Sequence, residues 1–209
     1  MPQSSVTVVI PHWKGGDILC HCLESLERTV YDNYSVIVVD NCSPDGSIHV
    51  AEDFEWVRIV KSDTNLGFAG GCNLGIRQAK SRYVVLLNND TEVTPGWLSP
   101  LAAAADRDKS IAAVQPKLLS FQNRSSFDYC GAAGGELDIF GYPFARGRVF
   151  NRIERDKGQY DYSAPVFWAS GAACLLRKSA LDKTGLLATG FFAHQEEIDL
   201  DCRMQFSRS

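Results

Sequence analysis

Runs of apolar residues in the first half of the chain predict buried β-strands. Three of them begin at Ser5, Tyr34 and Tyr83 and read SVTVVIPHW, YSVIVVDN and YVVLLNND. Their Val, Ile and Leu residues are nearly continuous, which is typical of parallel strands that are covered on both faces. A further run, WVRIVKS, begins at Trp56 and makes four predicted strands.

Helical patterns separate these strands. Asp17 is the predicted N-cap of a first helix that reaches about Thr29. The apolar side of this helix consists of Ile18, Cys22, Leu23 and Leu26. Another helix starts in CNLGIRQAK, after the loop DTNLGFAGG. The order βαβαβαβ predicts an α/β fold with right-handed crossovers and a mostly parallel, doubly wound sheet.

The pattern changes after Asp90. TPGWLSPLAAAADRD predicts a helix, and IAAVQPKLL predicts another strand. Residues 127–162 are rich in Gly, aromatic and charged residues without helical period, which predicts β-hairpins and exposed loops. AHQEEIDLDCRMQF predicts a last amphipathic helix with Ile198, Cys202 and Phe206 on one side.

Candidate site residues follow three of the four predicted strands. They are Pro11, His12 and Trp13 after the first strand, Asp40 and Asn41 after the second, and Asn88, Asn89 and Asp90 after the fourth. In open parallel sheets the ligand crevice lies outside the carboxyl ends of the strands, so we expect these groups to converge at one rim. Taken alone, Asp40 can also be a turn residue and Asp90 the N-cap of the next helix.

The glycines between Asn65 and Gly75 have two interpretations. They permit tight helix packing, or they let the backbone come close to a nucleotide. The loop has neither GxGxxG nor GK[ST], so a dinucleotide fingerprint or a P-loop is not supported.

Charge and composition narrow the class of protein. The net charge is -4 over 209 residues, with both signs interspersed, so we expect no nucleic-acid partner. No apolar run is long enough to cross a bilayer and no secretory signal is present, which predicts a cytoplasmic protein, able to work peripherally at the inner face of the membrane. The seven cysteines lack metal spacing and are expected to be free, mostly buried thiols.

Six segments resemble glycosyltransferase family 2, inverting enzymes with a GT-A fold, and especially its rhamnosyltransferase-like members. In the family's order they are VTVVIPHW, VIVVDNCSPDGS, NLGFAGGCNLGI, YVVLLNNDTEV, FWASGAACLLRKSAL and GLLATGFFAHQEEIDLDCR. The resemblance covers nearly the whole chain. It implies one GT-A domain over 1–209, with a nucleotide-binding half of about 1–92 and an acceptor-side half of about 93–209. Relatives usually continue with further helices, so we expect a truncated or naturally short chain.

The resemblance implies roles for the residues at the predicted rim. Asn88, Asn89 and Asp90 stand at the family's DxD-like motif, where Asp90 would bind Mg²⁺ or Mn²⁺ on the donor diphosphate. Asn88 replaces the usual acid, so a second carboxylate ligand is in doubt. The base of the nucleotide would lie against Pro11, His12 and Trp13, with its imide N–H bonded to Asp40. The remaining nucleotide-side residues would be Asn41, Asn65, Gly67 and Asn73.

The resemblance also implies a general base near the start of the last helix. Glu197 is the favoured base and Glu196 the second choice, because an inverting transfer needs a carboxylate opposite the leaving group. Alternatively, these acids have no catalytic role and only occupy a helix N-terminus, where negative charge is favourable. The implied acceptor-side residues are Trp168, Ser170, Gly171 and Asp199.

The predicted function is metal-dependent transfer of a sugar, with rhamnose as the leading donor sugar, from a nucleoside diphosphate to a hydroxyl acceptor. The acceptor would be a glycan, a lipid-linked molecule or another alcohol in cell-surface polysaccharide or glycan synthesis. A sugar-nucleotide-binding domain without turnover is the alternative. A nucleotidyltransferase ranks last, because PHWKGGD offers only Lys14 and two glycines as a basic loop. The sequence does not specify an oligomeric state.

Overall fold

A computed structural model describes residues 3–207. Its ten strands are β1 (Val6–His12), β2 (Tyr34–Asp40), β3 (Val57–Lys61), β4 (Tyr83–Leu87), β5 (Ala113–Val114), β6 (Gly135–Leu137), β7 (Pro143–Ala145), β8 (Arg148–Val149), β9 (Arg152–Ile153) and β10 (Ala173–Arg177). Six of them form one sheet in the order β3-β2-β1-β4-β10-β5. The first four strands are mutually parallel, as predicted, whereas β10 runs antiparallel to both of its neighbours.

The helices cover both faces of this sheet. They are α1 (Gly16–Glu27), α2 (Gly67–Gln78), α3 (Leu98–Arg107), α4 (Lys178–Thr184) and α5 (Glu196–Phe206), with 3-10 turns at Ser47–Asp53 and Thr189–Phe191. One apolar cluster joins α1 and α3 to one face of the sheet. A second cluster joins α2, α4 and α5 to the other face. The predicted doubly wound α/β fold is therefore confirmed, with a 3-10 turn as the β2–β3 crossover.

Two β-hairpins lie beside the sheet, as predicted for residues 127–162. The first hairpin is β6–β7 and the second hairpin is β8–β9. They rest on a small cluster of Phe127, Ala132, Ala145 and Trp168. Gly135 lies so close to Trp168 that a Cβ there would overlap the indole ring. This contact fixes the first hairpin against the segment that leads into β10.

Several details of the predicted helices are wrong. Gly15 precedes α1 in a left-handed conformation and Asp17 lies inside the first turn, so Asp17 is not the N-cap. Ile18 is exposed, and Leu19 takes its place on the buried side. The predicted apolar side of α5, formed by Ile198, Cys202 and Phe206, is also wrong, because Phe206 is exposed.

The buried side of α5 is formed instead by Glu196, Leu200 and Met204. This set has the same i, i+4, i+8 spacing as the predicted one, so helical period alone could not choose between them. The cysteines are free, but only Cys22, Cys72 and Cys174 are buried, and Cys42 and Cys130 are exposed. None of the helices in residues 3–207 is long and apolar enough to cross a membrane.

Candidate active site

The predicted rim lies where β1 and β4 are neighbours. The β1–β4 pairing ends at Val9, whereas β1 stays paired with β2 through His12. The order of strands reverses between β1 and β4, and ligands of doubly wound sheets bind at such a switch point. His12 bridges the gap, because its Nδ1 accepts a 2.9 Å hydrogen bond from the Asn89 amide. The structure thus brings together His12 at the end of β1 and Asn89 just after β4.

His12 is held as a neutral ring. With Nδ1 accepting from Asn89, Nε2 donates to the Ser47 hydroxyl at 2.7 Å, and that hydroxyl donates to Asp45 at 2.5 Å. Burial lowers the pKa of His12, although nearby Asp45 and Asp40 oppose the shift. The ring therefore connects the two loops without carrying a positive charge.

Asp45 is a site residue that the sequence analysis missed. One of its oxygens accepts from Ser47, and the other accepts from the Gly15 backbone N–H at 3.0 Å. The Ser47 hydroxyl bond is the main cause that lowers the pKa of Asp45 to about 2. The D-x-S spacing in SPDGS, typical of an Asx turn, was a signal that could have found it.

Asn41 connects the end of β2 to the start of α2. Its amide donates to Asn65 Oδ1 at 3.1 Å and to the Gly67 carbonyl at 2.9 Å, and its oxygen accepts from Leu66 N–H at 2.9 Å. The Asn65 oxygen also accepts from Gly67 N–H at 2.9 Å. Three of the predicted nucleotide-side residues, Asn41, Asn65 and Gly67, therefore form one bonded network.

Asp40 and Ser43 are bonded to each other at the end of β2. Asp40 is buried and accepts a 2.9 Å bond from Ser43 N–H. The Ser43 hydroxyl oxygen is buried without a hydrogen-bond partner among the described residues. Trp13 directly follows His12, the strand partner of Asp40, and is half-exposed, with the Lys14 ammonium 4.2 Å from its ring centre. An aromatic face, a carboxylate and an unsatisfied hydroxyl suit a heterocyclic base.

Asp90 lies exposed at the rim, one residue beyond Asn89. Asn88 is fixed through its backbone, since its N–H donates to Ala172 and its carbonyl accepts from Thr91. No group of three or more His, Cys, Asp or Glu side chains gathers as a metal site within residues 3–207. An exposed carboxylate with amide neighbours fits a hard cation that keeps waters and takes its other ligands from a diphosphate.

Glu196 and Glu197 are the first two residues of α5. The residue before them, Gln195, has a left-handed φ of 72°, and so does His194 at 69°. Burial raises the pKa of Glu196 to about 7, and the Glu197 charge adds to this rise. One oxygen of each carboxyl group, Oε2, is buried without a partner in the described chain. Buried polar atoms are normally satisfied, so both oxygens are available to a bound molecule.

Other acidic and thiol groups surround this carboxyl pair. Asp201, which the sequence analysis missed, is buried and accepts a 2.6 Å bond from Ala169 N–H. Burial raises the pKa of Asp201 to about 7, and Glu197 contributes to the rise. Cys72 and Cys174 are buried thiols whose pKa burial raises, with Glu197 contributing. The charge of Glu197 therefore acts on thiols of α2 and β10 and on an acid of its own helix.

The Asp90 turn and α5 both contact the segment that leads into β10. Asn88 N–H donates to the Ala172 carbonyl at 3.0 Å, and Ala169 N–H donates to Asp201 at 2.6 Å. Partial desolvation raises the pKa of the nearby Cys130 thiol, and the carboxylates of Asp128, Glu197 and Asp90 raise it further. The turn of the predicted metal ligand and the helix of the predicted base are therefore joined through one segment.

Other predicted site residues make contacts within the protein. The Asn73 amide bonds both backbone groups of Leu187, at 2.8 and 3.1 Å, and joins α2 to the segment before α5. Asp199 pairs with Arg203 at 2.8 Å. Trp168 donates to the Glu136 carbonyl at 3.1 Å.

Two of the predicted acceptor-side residues lie near the rim. Ser170 is buried, and its hydroxyl accepts from Ala172 N–H at 3.3 Å, while the Ala172 carbonyl accepts from Asn88 N–H at 3.0 Å. Gly171 lies against the Phe68 ring, where a Cβ would come within 3.2 Å. The segment before β10 therefore borders both α2 and the rim.

Comparisons with known proteins identify relatives of this chain. The family model described as Glycosyl transferase family 2 matches residues 7–185. An uncharacterized protein of Sinorhizobium fredii is 30% identical over 86% of this chain and 20% of its own length. An N-acetylglucosaminyl-diphospho-decaprenol L-rhamnosyltransferase of Mycobacterium tuberculosis is 27% identical over 94% of this chain and 69% of its own length.

A solved structure supports the fold. The mannosyltransferase PcManGT from Pyrobaculum calidifontis, in complex with GDP-Man and Mn²⁺, superposes with a TM-score of 0.66 and 17% identity. The superposition covers 97% of this chain and 52% of that protein. The present chain thus spans only part of the length of these proteins.

Proposed function

This chain belongs to glycosyltransferase family 2, and on that premise we propose that it transfers a sugar from a nucleoside diphosphate donor to a hydroxyl acceptor with inversion. The observation that carries the proposal is the unpartnered buried oxygen of Glu197 on α5, a helix that contacts the same segment before β10 as the Asp90 turn. An inverting transfer needs these two functions on either side of one anomeric carbon.

The donor would lie along the rim at the switch point. Trp13 would stack on the base, Asp40 would accept its imide N–H, and the Asn41 network would fix the backbone around Gly67. Deoxythymidine-diphosphate rhamnose is the proposed donor, since the M. tuberculosis relative is a rhamnosyltransferase. A lipid-linked hydroxyl is the proposed acceptor, because the name of that relative specifies a decaprenol diphosphate. The protein would then work at the cytoplasmic face of a membrane.

Asp90 would hold Mg²⁺ or Mn²⁺ together with the donor diphosphate. The PcManGT complex contains Mn²⁺ beside its sugar nucleotide, which supports a divalent cation here. When bound, the cation offsets the negative charge of the departing diphosphate by several kcal/mol. Asn89 would keep the Asp90 turn in place through its bond to His12.

Glu197 would act as the base in a single displacement. Its carboxylate would take the proton of the acceptor hydroxyl while that oxygen forms a bond to the anomeric carbon. The bond from the anomeric carbon to the diphosphate oxygen breaks on the opposite side, and the nucleoside diphosphate leaves with those electrons. Glu196, with a pKa of about 7, would supply a neutral hydroxyl donor toward Glu197 at the start of α5.

The proposal is tested by Glu197→Gln. We expect the release of nucleoside diphosphate in the presence of an acceptor to fall by about 10²- to 10⁴-fold, because the proton has no acceptor. Donor affinity in calorimetry should stay that of the wild type. Retained turnover would move the base to Glu196 or elsewhere. If the wild type binds sugar nucleotides but turns none over across donors and acceptors, the binding-domain alternative is correct.

The metal assignment is tested separately with Asp90→Ala. Donor affinity measured with Mn²⁺ should fall by about 100-fold, while affinity measured in a chelator should be unchanged. The exposed α4 residue Asp182, replaced by Ala, is the matched control and should leave both values alone. An Asp90→Ala protein with full Mn²⁺-dependent affinity would contradict the assignment.

A further inference from the structure

The two hairpins display large apolar side chains to solvent. Ile139 and Phe140, at the end of the first hairpin, are 93% and 78% exposed, and Phe150, at the end of the second, is 90% exposed. Tyr142 and Val149 beside them are also exposed. Isolated exposed apolar residues are common, but a concentration of aromatic and aliphatic residues on projecting elements indicates an interaction surface.

The end of the first hairpin is an ordered turn. Asp138 Oδ1 accepts bonds from Phe140 N–H at 2.8 Å and Tyr142 N–H at 2.9 Å. The Asp138 and Tyr142 backbones are bonded to each other at 3.0 Å. These bonds order the turn in a conformation that leaves Ile139 and Phe140 exposed.

Cations accompany these apolar residues. The stretch 148–155, RVFNRIER, contains Arg148, Arg152, Arg155 and one acid, in a chain whose net charge is -4. Among the described residues none of these arginines forms an ion pair. The acid, Glu154, already accepts a bond from Gln159 at 3.1 Å. Unpaired arginines beside exposed Phe, Ile and Val suit a surface that is both apolar and anionic.

The hairpins lie beside the segment that leads into β10. Gly135 N–H, at the start of the first hairpin, donates to the Trp168 carbonyl at 3.0 Å, and the adjacent Ala169 N–H donates to Asp201 of α5 at 2.6 Å. In the second hairpin the Arg148 guanidinium lies 4.2 Å from the ring centre of Tyr129. An object held by the hairpins would therefore lie beside the acceptor side of the proposed site.

We propose that the two hairpins bind the surface of an anionic lipid bilayer, with Ile139, Phe140 and Phe150 inserted among the lipids and Arg152 and Arg155 against the headgroups. The purpose of this contact rests on the proposed function, since it would hold the crevice next to a lipid-linked hydroxyl. Side chains as exposed as Ile139, Phe140 and Phe150 favour insertion into a bilayer over a folded partner, whose surface would need a matching shape.

The test is flotation of the protein with vesicles of phosphatidylglycerol and phosphatidylcholine. The wild type should float with them, and Ile139→Ser/Phe140→Ser/Phe150→Ser should lower the partition coefficient at least about tenfold, because buried side chains supply the affinity. Val30→Ser is the matched control, since Val30 is exposed at the amino ends of the strands and should float normally.

A second pair of variants tests the charges. Arg152→Glu/Arg155→Glu should lower flotation about fivefold or more per residue and reduce its salt dependence, whereas Lys109→Glu, exposed before β5, should not. All variants should keep the wild-type melting temperature and donor affinity, which excludes misfolding as the cause.

Three outcomes would overturn the proposal. They are a wild type that does not float, a triple hairpin variant that floats like the wild type, and a wild-type dimer in light scattering that the triple variant converts to a monomer. The last result would make the hairpins an interface between two copies. Flotation without sugar transfer would refute the proposed function alone, and transfer without flotation would refute the bilayer proposal alone.

Discussion

The donor rim, formed by the residues at the ends of β1, β2 and β4 and named for its proposed role, differs from the start of α5 in how its polar side chains are bonded. At the donor rim His12, Asn41 and Asn65 are bonded to other parts of the chain. At the start of α5, Glu196 and Glu197 each keep a buried oxygen without a partner, and the pKa of Glu196 is raised by burial to about 7. The donor rim is preformed by the chain, whereas the carboxyl pair is destabilising until something binds it. Replacing residues should therefore lower stability at the first region and raise it at the second.

The largest expected effect is at the donor rim, with Asn41→Ala. The variant removes three hydrogen bonds and leaves Leu66 N–H and the Gly67 carbonyl without their partner, so unfolding should become easier by about 3 kcal/mol. Chemical denaturation measures the change. Asn123→Ala, on an exposed loop, is the control and should cost well under half of that amount. Equal losses in the two variants would show that the network is not preformed.

The next effect concerns the contact between the two regions, and Gly67→Ala tests it. Gly67 has a φ of 69°, and an added Cβ would lie 2.5 Å from the Phe192 carbonyl oxygen just before α5. We expect a loss of about 2 kcal/mol in the free energy of unfolding. Gly96→Ala, where nothing lies within 4 Å, should be close to neutral. A neutral Gly67→Ala would mean that the Phe192 segment moves freely away from α2.

The smallest effect has the opposite sign and comes from Glu196→Gln. Because the folded-state pKa of about 7 exceeds the ordinary value of 4.5, wild-type stability is full below about pH 4.5 and is lost as the pH rises to about 7. The full shift corresponds to about 3 kcal/mol, but the Gln amide would also be buried without a partner, so the variant should be more stable than the wild type by only about 1 kcal/mol at pH 8. Thermal melts from pH 4.5 to 8 measure the difference. Exposed Glu55→Gln should show no such trend.

The first half of the chain, which contains β1 to β4, was more predictable than the second. Continuous apolar runs identified its four parallel strands, and the polar residues directly after them meet at the rim, as the bond between His12 and Asn89 confirms. Strand direction fixes where such residues go, so pattern is sufficient there. Asp45 escaped notice because its role comes from contacts with Gly15 and Ser47 in two different loops.

The second half was less predictable because long-range contacts determine its structure. The strand β10 was not predicted as a strand, since only its position beside β4 distinguishes ACLLR from a short helical segment. The buried side of α5 depends on which of two equally spaced sets meets the sheet. The burial of Glu196 and Asp201, and with it their pKa, follows from that rotation and cannot be obtained from the order of residues.

The antiparallel strand β10 also sets the order in which the protein can be completed during synthesis. Leu87 at the end of β4 pairs with Ala173, so the β4 edge stays open until the ribosome has made roughly 90 further residues. At about 5–20 residues per second this takes on the order of 5–20 s. During that time an apolar strand, YVVLL, presents unpaired backbone groups, which is the state most open to pairing with another chain. A chaperone would therefore matter most in the period after β4 has been made and before β10 pairs with it.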